Sequence, residues 1–357
     1  MATRRRFLQD TLRAAAGAAL LPVGRAAAGP AAPAPAGPVT FDLHAHPGAF
    51  FARGQPYYVG DDSLRGTVRG MRDGGLTGAF FSLVADAPLI DITPTGVVPR
   101  RTYAAGEATR EYARQLAFLR AQVGTTPARV ATTVADLERA HAGGTVAAFL
   151  GCEGGEFLDG DAGRVAPLHA DGVRSLQLVH YAPSALGDLQ TAPAQHGGLS
   201  ALGKAVVRRM NAVGMLVDVA HASFATVRDV VALTTAPVIL SHSLLRADPG
   251  RMLAARTITV EHARLVASTG GVIGAWPSAY NATFDEFVDH TKRLVDAVGI
   301  DHVGLGTDMD GNLRPVFTAY AQLADWARGL EARGFTRAEA EQVLGGNVVR
   351  VLRAVLG

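Results

Sequence analysis

Short apolar runs rich in Val, Ile, Leu and Phe recur along this chain, with helix-like segments between them. This alternation constrains the fold more than any other feature. Strands joined by helical crossovers run parallel, and parallel strands are buried on both faces. Eight runs fit: Val39–Leu43, Thr77–Val84, Thr145–Leu150, Val173–Val179, Met215–Ala220, Val238–Leu240, Gly271–Ala275 and His302–Gly306. Helical segments are expected at Arg110–Gln122, Leu202–Val213, Val260–Ser268, Phe284–Val298, Tyr320–Arg333 and Ala338–Leu356. Eight β/α pairs predict a closed (β/α)₈ barrel of the TIM type. A length of 357 residues, 48% of them hydrophobic, suits one such domain.

In such a barrel the C-terminal ends of the strands converge on one mouth, where the chemistry sits. The first run is followed by His44 and His46, the third by Glu153, and the fourth by His180. The fifth is followed by His221, the sixth by His242 and the eighth by Asp308. Five of the eleven histidines thus stand at strand ends. A lone histidine after a strand is usually a satisfied core or surface residue, and His141, His169, His196, His262, His290 and His302 keep that reading. So many ligand-type residues at one barrel end are poorly explained by accident.

Imidazole and carboxylate donors without thiolates suit Zn²⁺ first, and less selectively Mn²⁺, Co²⁺ or Fe²⁺. The only cysteine is Cys152, so a cysteine-cluster site and an intramolecular disulfide are both excluded. Four histidines, one glutamate and one aspartate exceed the needs of one tetrahedral ion. Two divalent ions sharing a carboxylate, with a hydroxide between them, use the set better. A carboxylated lysine is closed as a bridge, because Lys204 and Lys292 are the only lysines and neither follows a strand. Glu153, within Gly151-Cys152-Glu153-Gly154-Gly155, is the expected bridge. One ion would take His44, His46 and Glu153, and the other Glu153, His221 and His242. Asp308 would touch the first ion or its water and pass a proton from the attacking water to the leaving group. Asp310 is the competing carboxylate, with a turn before Gly311 as its plainer role.

These residues, with their surroundings, resemble the membrane (renal-type) dipeptidase family of zinc peptidases within the amidohydrolase superfamily. The resemblance runs from about Asp42 to Leu352. It is carried by Asp42-Leu43-His44, Glu153-Gly154-Gly155, Val217-Asp218-Val219-Ala220-His221, Ser241-His242-Ser243, Gly304-Leu305-Gly306-Thr307-Asp308 and Leu344-Gly345-Gly346-Asn347. It implies a metal-dependent hydrolase that cleaves the amide bond of a dipeptide. It also implies that His180 contacts the substrate carbonyl and the tetrahedral intermediate, and that Arg256 pairs with the substrate carboxylate. Three departures stand out. His46 occupies a position where the family usually has Asp, Glu156 stands where it often has His, and the loop Tyr181–Asp188 lacks the usual Asn and Trp pattern. The alternatives are a hydrolase of another small amide or lactone, such as an N-acyl amino acid, and an exported metal-dependent binding protein without turnover.

The N-terminus reads as an address. Arg4-Arg5-Arg6-Phe7-Leu8, the weakly apolar run Ala14 to Val23 and Ala26-Ala27-Ala28 resemble a twin-arginine export signal over residues 1–28. A Pro/Ala linker over 29–38 follows, and the barrel is expected over 39–357. The expected location is periplasmic or extracellular. The apolar run is too short for a stable membrane anchor. Residues 1–28 carry five arginines against one aspartate, so the rest of the chain is left at −2 from a total of +2. That leaves no basic footprint for nucleic acid. The expected partner is a small-molecule substrate; a homodimer is compatible with the sequence but not specified by it.

Overall fold

The computed structural model describes residues 37–55, 58, 60–93 and 96–357. The expected leader and nearly all of the expected linker lie outside the described residues.

Among the described residues eleven strands occur: β1 Phe41–Ala45, β2 Gly78–Val84, β3 Ile90–Thr93, β4 Gly96–Pro99, β5 Ala128–Ala131, β6 Val146–Glu153, β7 Val173–Gln177, β8 Leu216–Asp218, β9 Ile239–Ser243, β10 Val272–Ala275 and β11 Val303–Leu305. Eight of them close a parallel ring in the order β1, β2, β6, β7, β8, β9, β10, β11 and back to β1. These are the eight predicted runs. β2 and β6 are buried at every position, as strands covered on both faces must be. β5 is extra. It pairs with the first half of β6, on the edge whose second half pairs with β7. β3 and β4 form a separate antiparallel hairpin beyond the end of β2.

Three boundaries differ from expectation in a way that matters. β1 runs on through His44, β6 through Glu153 and β9 through His242, so these residues are the last turns of strands rather than loop residues. Glu153 pairs with Val84 in the β2–β6 ladder, while His44 and His242 sit at register shifts in β1–β2 and β9–β10. The helices Val260–Ser268 and Phe284–Val298 have the predicted bounds, each started by a threonine whose hydroxyl accepts a backbone N–H three residues on. Helices at Asp61–Asp73, Val134–Ala142, Val165–Ala170 and Phe224–Leu233 were not predicted. The predicted Ala338–Leu356 helix is broken by a π-turn at Gln342–Gly346. There Gly345 lies so close to the barrel that a Cβ would come 2.4 Å from the Val39 carbonyl oxygen. The Asn347 amide then donates to the carbonyls of Ile300 (2.7 Å) and Val303 (2.9 Å), tying the last helix to the start of β11.

The barrel floor is apolar. Phe41, Phe80 and Phe149 meet with ring centroids 5.5–5.9 Å apart, and Leu216, Ile239 and Val272 pack with them. Val348, Val351 and Leu352 of the last helix belong to the same cluster and close the floor. Such packing leaves the opposite end as the place for polar side chains. Among the described residues no helix is long and apolar enough to cross a membrane.

Candidate metal centre

The strand ends bring every predicted ligand together around Glu153. His44 Nε2 lies 3.3 Å from Glu153 Oε1 and His46 Nε2 lies 3.2 Å from Oε2. His180, His221 and His242 approach Oε1 with their Nε2 atoms at 3.3, 3.4 and 3.8 Å. Asp308 Oδ1 is 3.4 Å from His46 Nε2. Three overlapping sets have donor atoms close enough to share an ion: His44 with His46 and Asp308, His44 with Glu153 and His242, and Glu153 with His180 and His221. His44 therefore sits between the two predicted ion positions, and His180 joins the cluster rather than standing off from it. Asp310 lies outside it. Its carboxylate instead accepts the Gly48 N–H and the Thr67 hydroxyl, both at 2.6 Å.

Outer contacts aim several of these rings. His46 Nδ1 is 2.8 Å from the Ser82 carbonyl oxygen, which can only accept, so Nδ1 carries the proton and Nε2 is free to face inward. Ser241 Oγ lies 3.0 Å from His242 Nδ1, and Ser82 Oγ lies 3.3 Å from His44 Nδ1. His221 and Asp308 adopt left-handed backbone conformations, with φ of 64° and 54°. For residues other than glycine that costs about 1–3 kcal/mol, and such strain gathers at functional sites. After β6, Gly155 passes so near its neighbours that a Cβ would come 2.9 Å from the Leu178 carbonyl oxygen, which explains a glycine next to the proposed bridge.

The donor set fits divalent metal. Burial, reinforced by the charges of Arg256 and His180, holds His221 well below the ordinary imidazole range. Burial and the neighbouring His44 do the same for His242. Neutral imidazole is the form that binds an ion. Burial works against a charge on Glu153, but the imidazoles around it, His180 and His44 first, keep it ionised well below the usual carboxylate value. Burial likewise opposes a charge on His46, but Asp308 and then Glu153 raise it to about 10. A buried carboxylate ringed by imidazole nitrogens is what a cation would neutralise, displacing the proton held on His46.

Two supporting carboxylates escaped the sequence reading. Asp86, just past β2, is fully buried and accepts from His180 Nδ1 at 2.6 Å and from the backbone N–H groups of Tyr181 (3.0 Å) and Ala182 (2.8 Å). It fixes both the ring and the loop after β7. The strand-end rule that found the ligands could have found it. Asp42 lies in β1 below His44. It accepts from the backbone N–H groups of His44 (3.1 Å) and Thr307 (2.9 Å), from the Thr307 hydroxyl, and from Tyr320 OH (2.7 Å). It therefore locks β1 to the segment that carries Asp308.

Arg256 is 1% exposed and sits on the one-turn helix Ala254–Arg256. Its guanidinium lies 5.6 Å from the Trp276 ring centre, donates to the Gln190 side chain, and has Nη2 3.2 Å from His242 Nε2. Among the described residues no carboxylate lies within ion-pairing distance of it. Glu156 is the other unusual charge. Both its carboxyl oxygens are buried without a hydrogen-bond partner, and burial together with Asp86 raises it to about 8. Arg256 and all of the cluster except His44 line a cavity of about 610 Å³ at the C-terminal mouth of the barrel, within the usual range for a small-molecule site.

Residues 60–356 match the family model described as membrane dipeptidase, peptidase family M19. His44 and His46 precede the matched segment. The chain is similar to the dipeptidase aclJ of Aspergillus oryzae, 33% identical over 240 residues, covering 62% of this chain and 55% of the relative. It is 30% identical to the dipeptidase verJ of Clonostachys rogersoniana over 246 residues, covering 63% and 60%. The chain thus spans little more than half the length of these curated relatives. Among solved structures, the metallopeptidase dipeptidase AC superposes with a TM-score of 0.76 at 22% identity, covering 89% of this chain and 99% of that one. A Rhodobacter sphaeroides metallopeptidase, liganded with a phosphinate mimic of L-Ala-D-Ala, gives 0.75 at 21%, covering 89% and 100%. On the strength of the family match, this chain belongs to the membrane dipeptidase family of metallopeptidases, peptidase family M19.

Proposed function

We propose that the protein hydrolyses the amide bond of dipeptides with two divalent ions, zinc first among candidates, held by His44, His46, Glu153, His221, His242 and Asp308. The observation that carries this reading is Glu153, whose two oxygens face imidazoles from opposite sides of the mouth. When bound, such ions would activate a water and polarise the scissile carbonyl.

The chain's own residues supply the rest. Arg256, buried and without a carboxylate partner, receives the substrate's free carboxylate through its planar fork. His180 faces the carbonyl oxygen. Burial opposes a charge on it, but Asp86 and then Glu153 raise its pKa, so Nε2 can carry a hydrogen toward the oxyanion. Asp308 accepts the proton of the attacking water and returns it to the departing amine nitrogen, so the proton count closes. We further propose export by the twin-arginine route, which an N-terminal mass measurement on secreted protein would test.

A second reading is favoured by a specific observation. Apart from Glu153 and Asp308, no carboxylate lines the cavity among the described residues, and His46 stands where the family usually has Asp. An uncharged acyl group in place of a free ammonium would suit that surface, as in an N-acyl amino acid. Matched dipeptides and N-acyl amino acids sharing one leaving amino acid separate the two readings. Cleavage of the L,L- or L,D-dipeptides, abolished by chelator, supports the first, and cleavage of the N-acyl compounds alone supports the second. Cleavage of neither leaves the third sequence reading, binding without turnover.

A further inference from the structure

We infer that the β3–β4 hairpin is the specificity wall of this site, and that it selects substrates whose acyl residue, the one bearing the attacked carbonyl, has a large apolar side chain. The inference rests on the proposed amide hydrolysis with the substrate carboxylate on Arg256.

In the ring order, β2 and β9 stand four strands apart in both directions and so face each other across the mouth. Arg256 follows β9 and the hairpin follows β2. A substrate whose carboxylate is held by Arg256 and whose carbonyl lies at the cluster must extend its acyl residue toward the hairpin. The surface it meets there is mostly apolar: Phe51, Val84, Ala87, Ile90 and Val97 line the cavity on that side, with Thr93 the one polar hairpin residue among them.

The hairpin's own pattern supports the assignment. Side chains on a strand alternate between faces, and directly paired residues share a face. Ile90 pairs with Pro99, and Asp91 with Val98. Ile90 and Val97 line the cavity, whereas Asp91 and Val98 are exposed, and Asp91 lies 3.5 Å from Arg100. The hairpin thus turns Asp91 and Val98 to solvent and Ile90 and Val97 to the site, with Thr93 at its tip also reaching the cavity. It also lies outside the barrel sheet, so its residues can vary without disturbing the ligands.

The test is kcat/KM for the metal-loaded full chain on a series X-Ala with X = Gly, Ala, Leu, Phe, Asp and Lys. Leu-Ala and Phe-Ala are expected to exceed Ala-Ala by about tenfold or more, with Asp-Ala and Lys-Ala lowest. The double variant Ile90→Ser/Val97→Ser should flatten the series while Gly-Ala stays within about twofold. Val98→Ser, on the outward face, should leave the whole series unchanged. A flat or charge-preferring wild-type series overturns the inference, as does an I90S/V97S protein that loses all substrates equally. In both cases the wild type still hydrolyses the series and the proposed function stands. Failure to cleave any member counts against the proposed function and this inference together, and so is told apart from a failure of the hairpin alone.

Discussion

The two sides of the ligand cluster are built differently. On the side of β1 and β11, His46 is anchored by the Ser82 carbonyl and His44 has hydroxyls of Ser82 and Ser241 beside Nδ1. Asp308 adds a carboxylate of its own there. On the side of β8 and β9, His221 Nδ1 is buried without a hydrogen-bond partner among the described residues, and His242 has the Arg256 guanidinium 3.2 Å away. Both sides have an oriented ring, since Ser241 Oγ also lies 3.0 Å from His242 Nδ1, but the first side is anion-rich. The second has neutral imidazoles beside a cation and depends on Glu153 for negative charge. On the proposed function this difference would divide the labour: the first side would hold its ion more firmly and handle the proton, while the second would hold its ion less firmly but receive the substrate carboxylate.

The largest effect is expected from removing what the two sides share. Glu153→Gln should lose metal from both sides, the second more completely, and cut turnover beyond the ~10⁴-fold upper range of lost general acid–base catalysis. Full turnover in E153Q would dissolve the comparison. Asp308→Asn strikes the first side alone. It should lower kcat by about 10²–10⁴-fold with KM nearly unchanged, and steady-state kinetics on one good substrate will show it. Arg256→Ala strikes the second side. It should lower kcat/KM by about 10–100-fold, as loss of a charge-assisted pair does, chiefly through KM and only for substrates with a free carboxylate. An amidated substrate should be insensitive to it.

The smallest effect on turnover is expected behind the cluster. Glu156 is raised to about 8 in the folded protein from an ordinary 4.5. The folded chain therefore keeps a proton that the unfolded chain loses, and stability falls as pH rises through that window. Glu156→Gln removes this dependence. Denaturation should find variant and wild type alike at pH 4, with the variant more stable at pH 9 by up to about 5 kcal/mol. Equal stability at both values would show that Glu156 ionises normally in the folded chain.

Most of this site was legible because its proposed ligands obey a single positional rule, a polar donor at the end of an apolar run. His44, Glu153, His221, His242 and Asp308 all follow it. Asp86 follows it too, but one short carboxylate among alanines carries no sign that it will hold His180. Asp42 was legible only as part of a block, since its work is to join β1 to residues far away in the chain, Thr307 and Tyr320. The hairpin was missed because its strands have four residues each and its apolar face is completed only by the cavity. The helix at Val134–Ala142 carried a readable start, Thr133 with Asp136 three residues on, which form a capping box. The helix at Phe224–Leu233 was obscured by its many β-branched residues, which suit strands as well as helices.

The central claim is that Glu153 is shared by two ions. Metal content per chain, measured by elemental analysis on the purified full-length protein and on Glu153→Gln in parallel, tests it most directly. The account predicts about two divalent ions in the wild type and less than about one in the variant. A single ion in the wild type, or two retained by E153Q, would contradict it.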